Sequence, residues 1–263
     1  MAMKLKIYQV DAFSSEPFSG NPAAVCILDK WLDGDLMQKI ANENNLSETA
    51  FAVPVNDRYE IRWFTPEIEV DLCGHATLAT AHILFNHLDH PSDRVEFDTL
   101  NSGRLFVEKS GKKLTLDFPA DVIEEMVVPE VIVTALQTPP LKAYRGKTDF
   151  MFVYASQAEI ESLDPDFGLL AQMGGRGIIV TSMGNEADFV SRFFAPQTGI
   201  NEDPVTGSAH TTLMPYWSAV MNKKRLTAQQ LSARGGNLVC ELEGDRVKIS
   251  GEAVTYLEGE ISI

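Results

Sequence analysis

One glutamate and one histidine lie at the starts of apolar segments, where ionisable side chains are often suited to proton transfer. Glu48 directly precedes the apolar, strand-like segment 49–53, where loss of water raises the pKa of a carboxylic acid and suits it to act as acid or base. His75 lies in the first turn of the apolar segment 76–85, where a helix dipole disfavours imidazolium and predicts a neutral ring. The ordinary alternatives are an exposed loop acid and a histidine that satisfies a nearby carbonyl.

Two short glycine-containing segments precede apolar stretches, and they read Cys73-Gly74-His75 and Thr206-Gly207-Ser208. The start of a helix exposes unpaired amide N–H groups with a partial positive charge, and glycine lets a ligand approach that backbone closely. Two such starts that meet at a domain interface would form a pocket for a carboxylate or an oxyanion. The alternative is that both glycines only permit tight turns.

Asp203 is a further acidic candidate, and it is followed by Pro204. An aspartate before a proline is a common N-cap with proline in the first helical position, which is one interpretation. The other is that the helix starts nearer Gly207 and leaves the carboxylate in a loop that faces a cleft.

These residues fall into a sequence that repeats itself once. Residues 62–66 (RWFTP) recur as 192–196 (RFFAP), and 103–117 run parallel to 236–250. Cys73-Gly74-His75-Ala76 stands opposite Thr206-Gly207-Ser208-Ala209 at nearly the same spacing. Glu48 falls opposite Ile178, so the repeat does not account for the carboxylate. Two large repeats indicate two similar domains that face each other across a cleft, because a solenoid needs more and smaller units.

Hydrophobic patterning predicts several short strands and one apolar helix in each half. The helices expected are 33–44, 76–85, 165–173 and 209–221, and the last contains Pro215. Strands around a helix that is apolar on all sides must curve. We therefore expect an α+β fold with two barrel-like, mostly antiparallel domains, related by a pseudo-two-fold axis, each wrapped around a central helix. The predicted domains are 1–118 and 119–263, with strand 254–263 a candidate to return to the first.

Composition excludes several classes of partner. The formal charge of −15 disfavours nucleic acid and anionic membrane, and no apolar stretch approaches the length of a membrane span. Cys26, Cys73 and Cys240 form neither a disulfide framework nor a metal motif. Residues 174–177 (GGRG) lack the Lys-Ser/Thr of a phosphate loop. The sequence predicts a cytoplasmic protein without a metal-binding motif that binds a small anionic molecule.

The motifs resemble those of the PhzF family, named for phenazine biosynthesis, in order along nearly the whole chain. They are 10–13 (VDAF), 18–23 (FSGNPA), 46–51 (LSETAF), 64–66 (FTP), 73–77 (CGHAT) and 199–210 (GINEDPVTGSAH). The family belongs to the diaminopimelate-epimerase-like superfamily. The resemblance implies two barrel domains with central helices, an active site in the interdomain cleft, no cofactor and a homodimer.

The resemblance also implies roles for particular residues. In the best understood member, a glutamate shuttles a proton during isomerisation of a cyclic dihydro-hydroxyanthranilate, supported by a histidine and an aspartate. Those catalytic roles fall here on Glu48, His75 and Asp203. The substrate-binding positions fall on the following residues: Asn21, Ser47, Cys73, Gly74, Thr206, Gly207 and Ser208.

Two other interpretations remain open at the level of sequence. The epimerases of the superfamily use two opposed cysteines, whereas the equivalent positions here are Cys73 and Thr206. Because threonine is a poor base, racemisation by two thiols is excluded, but a Cys73-dependent epimerase or dehydratase of an amino-acid-like substrate is not. Cys73 is alternatively a small core residue. The third interpretation is a non-catalytic member that binds a small molecule or a protein.

Overall fold

The structure, a computed structural model, describes residues 3–263 and divides the chain into two compact units. One unit contains the chain up to Asp117 together with Ser250–Ile263, and the other contains Phe118–Ile249. Within residues 3–263, no helix has the length and apolarity needed to cross a membrane.

The first unit has nine strands and two helices in the described residues. They are β1 (Lys4–Ala12), β2 (Asn21–Ile27), α1 (Gly34–Asn44), β3 (Glu48–Val55), β4 (Arg58–Phe64), β5 (Glu69–Val70), α2 (Gly74–His87), β6 (Arg94–Asp98), β7 (Arg104–Ser110), β8 (Lys113–Pro119) and, from the end of the chain, β17 (Ala253–Ser262). The last of these strands pairs antiparallel with β1 over its whole length.

The second unit holds the remaining elements. They are β9 (Glu124–Met126), α3 (Glu130–Leu136), β10 (Lys142–Arg145), β11 (Asp149–Val153), α4 (Gln157–Ser162), α5 (Phe167–Leu170), β12 (Gly177–Met183), β13 (Phe189–Phe194), α6 (Ala209–Met221), β14 (Arg225–Gln230), β15 (Gly236–Glu243) and β16 (Arg246–Gly251). Strands β8 and β16 contain the two points where the chain passes from one unit to the other.

The two units share one order of strand pairing. In the first, β2 and β3 are parallel, β3 and β4 antiparallel, β4 and β6 parallel, and β6 and β7 antiparallel. In the second, the same sequence of directions runs through β11, β12, β13, β14 and β15. The predicted α+β fold with mostly antiparallel pairing is thereby confirmed.

One long apolar helix is buried in each unit. Helix α2 packs against β1, β2, β3, β7 and β17, and α6 packs against β11, β14 and β15. In α2 the polar side chains of Thr77 and Thr80 are also buried, because their hydroxyls donate to the carbonyls of Cys73 and Ala76 at 2.6 and 2.8 Å. Because strands pack around α2 on several sides, its first turn lies close to the ends of these strands.

The predicted helix over 165–173 is shorter than expected. The Asp166 side chain caps α5 by accepting from the amide of Leu169 at 3.0 Å, and a 3₁₀ turn over Ala171–Met173 follows. Gly174 ends the turn with a φ of +67°, a conformation that favours glycine. The helix therefore stops where the glycine-rich segment begins.

Strand register also corrects the counterpart of Glu48. Phe64 and Phe194 are equivalent in the repeat, and they pair with Thr49 and Ile178 respectively. The residue before each is Glu48 in the first unit and Gly177 in the second, so the acid stands opposite glycine and not opposite Ile178. Chain spacing missed this because the connections of the two units differ in length by one residue.

Candidate active site

Glu48 and His75 meet inside the first unit. Glu48 is the first residue of β3, where it pairs in parallel with Ala23 of β2. His75 follows Gly74 in the first turn of α2. The Glu48 Oε2 and His75 Nε2 atoms lie 3.1 Å apart, and their side chains are 14% and 6% exposed. A strand start and a helix start thus bring the two predicted catalytic groups of this unit into direct contact.

The other ring nitrogen of His75 is approached by two neighbours. The Asn21 side-chain amide nitrogen lies 3.2 Å from Nδ1, and the Cys73 Sγ lies 3.5 Å from the same atom. Asn21 is held in place by Gly20, which has a φ of +70° and whose added Cβ would come within 2.2 Å of the Ala12 carbonyl oxygen. Only glycine fits that turn, and the turn delivers the amide to the imidazole.

His75 carries a positive charge beyond the usual pH range of a histidine. Burial by itself lowers the pKa of its imidazole, but the neighbouring Cys73 and Glu48 outweigh burial and raise that pKa well above its ordinary value. Burial, followed by the charge of Glu48, raises the pKa of the Cys73 thiol, so the sulfur stays protonated at neutral pH. The direction of the His75 pKa favours the charged imidazole, in contrast to the neutral ring expected from the helix dipole.

The contact between Glu48 and His75 is close but poorly aligned. Neither Glu48 Oε2 nor His75 Nε2 makes a hydrogen bond of good angle with any group in residues 3–263, although both atoms are buried. Each of these two atoms can therefore still form a hydrogen bond with a bound molecule.

Asp203 belongs to the second unit, where it is fixed by its neighbours. The Thr206 hydroxyl donates to Asp203 Oδ2, and the buried Gln230 donates through Nε2 to the Asp203 carbonyl at 2.8 Å. Gln230 also accepts from the Thr206 amide at 2.8 Å through Oε1. Helix α6 begins only at Ala209, so Asp203 is not its N-cap and lies in a loop, as the second interpretation predicted.

Ser208 has a partner that sequence reasoning missed. The Arg176 guanidinium donates through Nη1 to Ser208 Oγ at 2.8 Å and through Nε to Asp149 Oδ1 at 2.9 Å, and its Nη2 contacts Asp149 Oδ2. Its plane also lies over the ring of Phe193, at 5.3 Å from the centroid. The only signal for this cluster was a lone arginine within 174–177, which is not a phosphate loop.

The predicted site residues thus form two groups. The structure brings Asn21, Glu48, Cys73 and His75 together in the first unit, with Gly74 at the start of α2 and Ser47 half-buried immediately before β3. It brings Asp203, Thr206 and Gln230 together in the second unit, where Gly207 is buried and Ser208 contacts Arg176.

Comparison with known proteins assigns the family. The model of the phenazine biosynthesis-like protein family, PhzC-PhzF, matches residues 10–259. The chain belongs to this family. An uncharacterized isomerase of Pseudomonas aeruginosa is 52% identical over 261 residues, which cover 99% of this chain and 100% of the relative. The expectation of an isomerase of the PhzF family is thereby confirmed.

Solved structures support the same assignment. A PhzF family protein of Enterococcus faecalis has a TM-score of 0.97 and 47% identity, with coverage of 99% of this chain and 100% of the other. A predicted epimerase of Pseudomonas aeruginosa, at 18% identity and a TM-score of 0.75, covers 98% of this chain and 99% of the other, and it shows a shared fold. The epimerase-like fold expected from the resemblance is confirmed.

Proposed function

We propose that this PhzF family protein moves a proton between two positions of a small carboxylate-bearing metabolite, with Glu48 as the acid and base. Cyclic conjugated acids are the first candidates for the substrate, and the reaction needs no cofactor. The observation that carries the proposal is the buried contact of 3.1 Å between Glu48 and His75. It joins a carboxylate that can accept a proton to an imidazolium that can hold a fixed positive charge.

The charges of this pair fit proton abstraction from carbon. Before the reaction, the Glu48 carboxylate and the His75 imidazolium sum to zero. When Glu48 takes a proton from the substrate, the pair becomes positive while the substrate becomes an anion. A fixed positive charge next to a developing anion is the arrangement that lowers the barrier most effectively. Return of the proton to another carbon restores both charges and leaves no net change in the enzyme.

The carboxylate of the substrate needs its own donors. We place one set at the start of α2, where the backbone near Gly74 presents N–H groups. The backbone at Gly207 and Ser208 is a further candidate set in the second unit. Because Arg176 donates to Ser208 Oγ, the hydroxyl proton of Ser208 is free to donate to a ligand oxygen. Asp203 as a catalytic residue, like the homodimer and the cytoplasmic location, stays a prediction.

The Cys73-dependent epimerase or dehydratase is the second candidate, because Sγ lies close to the His75 ring. Two observations count against it. The raised pKa of Cys73 disfavours the thiolate that would act as base, and its equivalent Thr206 is engaged with Asp203. Alkylation of Cys73 separates the candidates on the Glu48→Gln background, because only a cysteine base would leave exchange that the reagent then abolishes.

The proposal is tested by isomerisation in heavy water. The purified protein is incubated with the dihydro-hydroxyanthranilate and with a panel of cyclic and amino-acid-derived acids, and deuterium in the product is measured by mass spectrometry. We expect wild-type protein to introduce deuterium and Glu48→Gln to lose about 10²–10⁴-fold in rate. Glu67→Gln, which changes an exposed acid of the same unit, is the matched control and should keep full activity. A folded Glu48→Gln protein with full activity overturns the proposal.

A further inference from the structure

The cluster around His75 contains three different kinds of metal-binding atom. One carboxylate oxygen of Glu48, the thiol sulfur of Cys73 and one imidazole nitrogen of His75 all lie within 4.8 Å of one another. Cys73 is 6% exposed and His75 is 5% exposed, so these atoms lie where water competes poorly. Proton transfer by Glu48 and His75 does not require the sulfur to be there.

The spacing of these atoms suits a small tetrahedral ion. Zinc bonds of about 2.0–2.3 Å to nitrogen, oxygen and sulfur place neighbouring ligand atoms about 3.3–3.8 Å apart. The Cys73 Sγ and His75 Nδ1 atoms are already 3.5 Å apart, and Glu48 Oε2 is 3.1 Å from His75 Nε2. These two contacts use different ring nitrogens, so binding of one ion requires a side-chain rotation that brings the sulfur and the oxygen to the same nitrogen, starting from atoms that already lie within 4.8 Å of one another.

Two further features favour an ion at this position. Glu48 Oε2 and His75 Nε2 are buried and face each other without an aligned hydrogen bond within residues 3–263, so an ion that displaces the proton of Nε2 could bind both atoms. If Nε2 binds the ion, Nδ1 faces the side-chain amide of Asn21, whose nitrogen lies 3.2 Å away and holds the orientation of the ring. Ligating histidines are commonly held by such a partner.

We propose that Glu48, Cys73 and His75 form a binding site for one thiophilic divalent cation of the Zn²⁺ class, and that this ion blocks the proposed proton transfer. A mixed sulfur, nitrogen and oxygen set favours Zn²⁺ or Co²⁺ over Mg²⁺ and Ca²⁺, which prefer oxygen alone. On binding, the thiol releases its proton to solvent and the sulfur bonds as thiolate. The fourth position faces the exposed part of Glu48 and holds water.

The inhibition rests on the proposed function, but the binding does not. A bound ion occupies the lone pairs of Glu48 that would receive the substrate proton. Metal binding is therefore measured first, without substrate, so that its outcome is independent of any catalytic assay.

The full-length protein is titrated with Co²⁺ under reducing conditions and followed by absorption. We expect one ion per chain, with a near-ultraviolet thiolate-to-cobalt band and intense visible bands of a tetrahedral site, both removed by one equivalent of Zn²⁺. Cys73→Ser and Cys73→Ala should lose the near-ultraviolet band. Glu48→Gln and His75→Gln should weaken binding at least about tenfold. Folding of each variant is checked by circular dichroism.

The other two cysteines provide matched controls. Cys26 and Cys240 are buried free thiols, and the substitutions Cys26→Ser and Cys240→Ser should leave the cobalt spectrum unchanged. A spectrum without the sulfur band, or a band that survives loss of Cys73, overturns the site.

Deuterium exchange then tests the inhibition: Zn²⁺ should abolish it and a chelator should restore it. Full exchange with the site occupied overturns the inhibitory role. Absence of exchange in metal-free protein contradicts the proposed function instead, and leaves the cobalt result intact.

Discussion

The two units use the same order of strands to present opposite chemistry at equivalent places. At the start of β3 stands Glu48, and at the equivalent start of β12 stands Gly177. An added Cβ at Gly177 would come within 2.0 Å of the Phe193 ring, so an aromatic ring fills the space where a side chain would begin. The two units therefore share one arrangement of strands, and the packing of the Phe193 ring excludes an acidic side chain from this position in the second unit.

The histidines of the two buried helices show the same contrast. His75 and His210 both lie in a first turn, and burial opposes the charged form of each. His75 has Glu48 as neighbour and its pKa is raised, whereas His210 has the Thr206 carbonyl at 2.9 Å and its pKa falls to about 4. The same element therefore favours the charged ring in one unit and the neutral ring in the other, and the difference lies in the Cys73 and Glu48 neighbours of His75.

Two sets of polar side chains in the second unit are joined by hydrogen bonds. Arg176, Asp149 and Ser208 form a connected set, and Asp203, Thr206 and Gln230 form another. In the first unit, the atoms of Glu48 and His75 that face each other are poorly aligned. The comparison therefore contrasts hydrogen-bonded side chains of the second unit with a close but unaligned contact in the first.

The largest effect on the free energy of unfolding is expected when the ion pair between Arg176 and Asp149 in the second unit is broken. Arg176→Met leaves the Asp149 carboxylate, 1% exposed, without its guanidinium. We expect a loss of about 2–4 kcal/mol in the free energy of unfolding, somewhat below that of a fully buried pair because the arginine side chain is 38% exposed.

Urea unfolding followed by circular dichroism measures this loss. Asp149→Asn in the same chain should recover part of it, since the unpaired charge is then gone. Arg104→Met breaks the exposed pair with Asp98 and should change the free energy of unfolding by at most about 1 kcal/mol. Equal losses at Arg176 and Arg104 would contradict the assigned difference.

The next test concerns the glycine that stands opposite Glu48. Gly177→Ala should lower the free energy of unfolding by about 1–3 kcal/mol, because the new methyl overlaps the Phe193 ring. Phe193→Leu should reduce that loss in a double-variant cycle. Gly34→Ala is the control: its methyl meets nothing closer than Arg62 Nη2 at 3.7 Å, so no loss is expected. A harmless Gly177→Ala would show that the ring does not exclude a side chain.

A smaller effect is expected at Gln230. Gln230→Met leaves the Thr206 amide and the Asp203 carbonyl without their 2.8 Å partners and should lower the free energy of unfolding by about 1–2 kcal/mol. Gln229→Met, at the half-buried neighbouring position, should stay within about 0.5 kcal/mol. Thermal unfolding of both variants decides the point, and equal behaviour would argue against a specific role for Gln230.

The smallest perturbation is a pH titration of histidine resonances by NMR. His75 should remain protonated above the usual histidine range, whereas His210 and His82, both lowered by burial, should titrate at about 4. Glu48→Gln should lower the pKa of His75 and leave that of His210 unchanged. If His75 titrates below the usual range in wild-type protein, the proposed ion pair is wrong.

His75 and His210 make the stability of the fold depend on pH in opposite directions. His75 binds its proton more tightly in the folded chain, so its contribution is fully present below the unfolded pKa and is lost as pH rises through the folded value. His210 is held neutral, so its contribution is present above the unfolded pKa and declines as pH falls towards 4.

Much of the frame follows from the sequence, because local patterns determine it. Apolar periodicity predicts α1, α2 and α6, and Asp33 caps α1 by accepting from the amide of Asp35 as its residue type suggests. Helix α4 had a readable signal that the prediction overlooked, since Ser156 caps it by accepting from the amide of Glu159, and the Glu159 carboxylate accepts from the amide of Ala155.

The side-chain partners of the second unit do not follow from the sequence. Arg176 reaches Asp149 and Ser208, and Gln230 reaches Thr206, across chain separations of 24 to 32 residues. No local pattern encodes such meetings, because they depend on which strands lie side by side. The first unit was more accessible because recognisable motifs carry Glu48, Cys73 and His75.

Strand β17 has a consequence for the order in which the molecule is completed during synthesis. It pairs with β1 from Lys4 to Ala12, yet it follows the whole of the second unit along the chain. On the ribosome, residues 118–249 can emerge and fold while β1 still has an open edge. The unit that carries Glu48 and His75 is therefore begun first and closed last, so a chain stalled shortly before β17 would contain every proposed catalytic group on an unfinished scaffold.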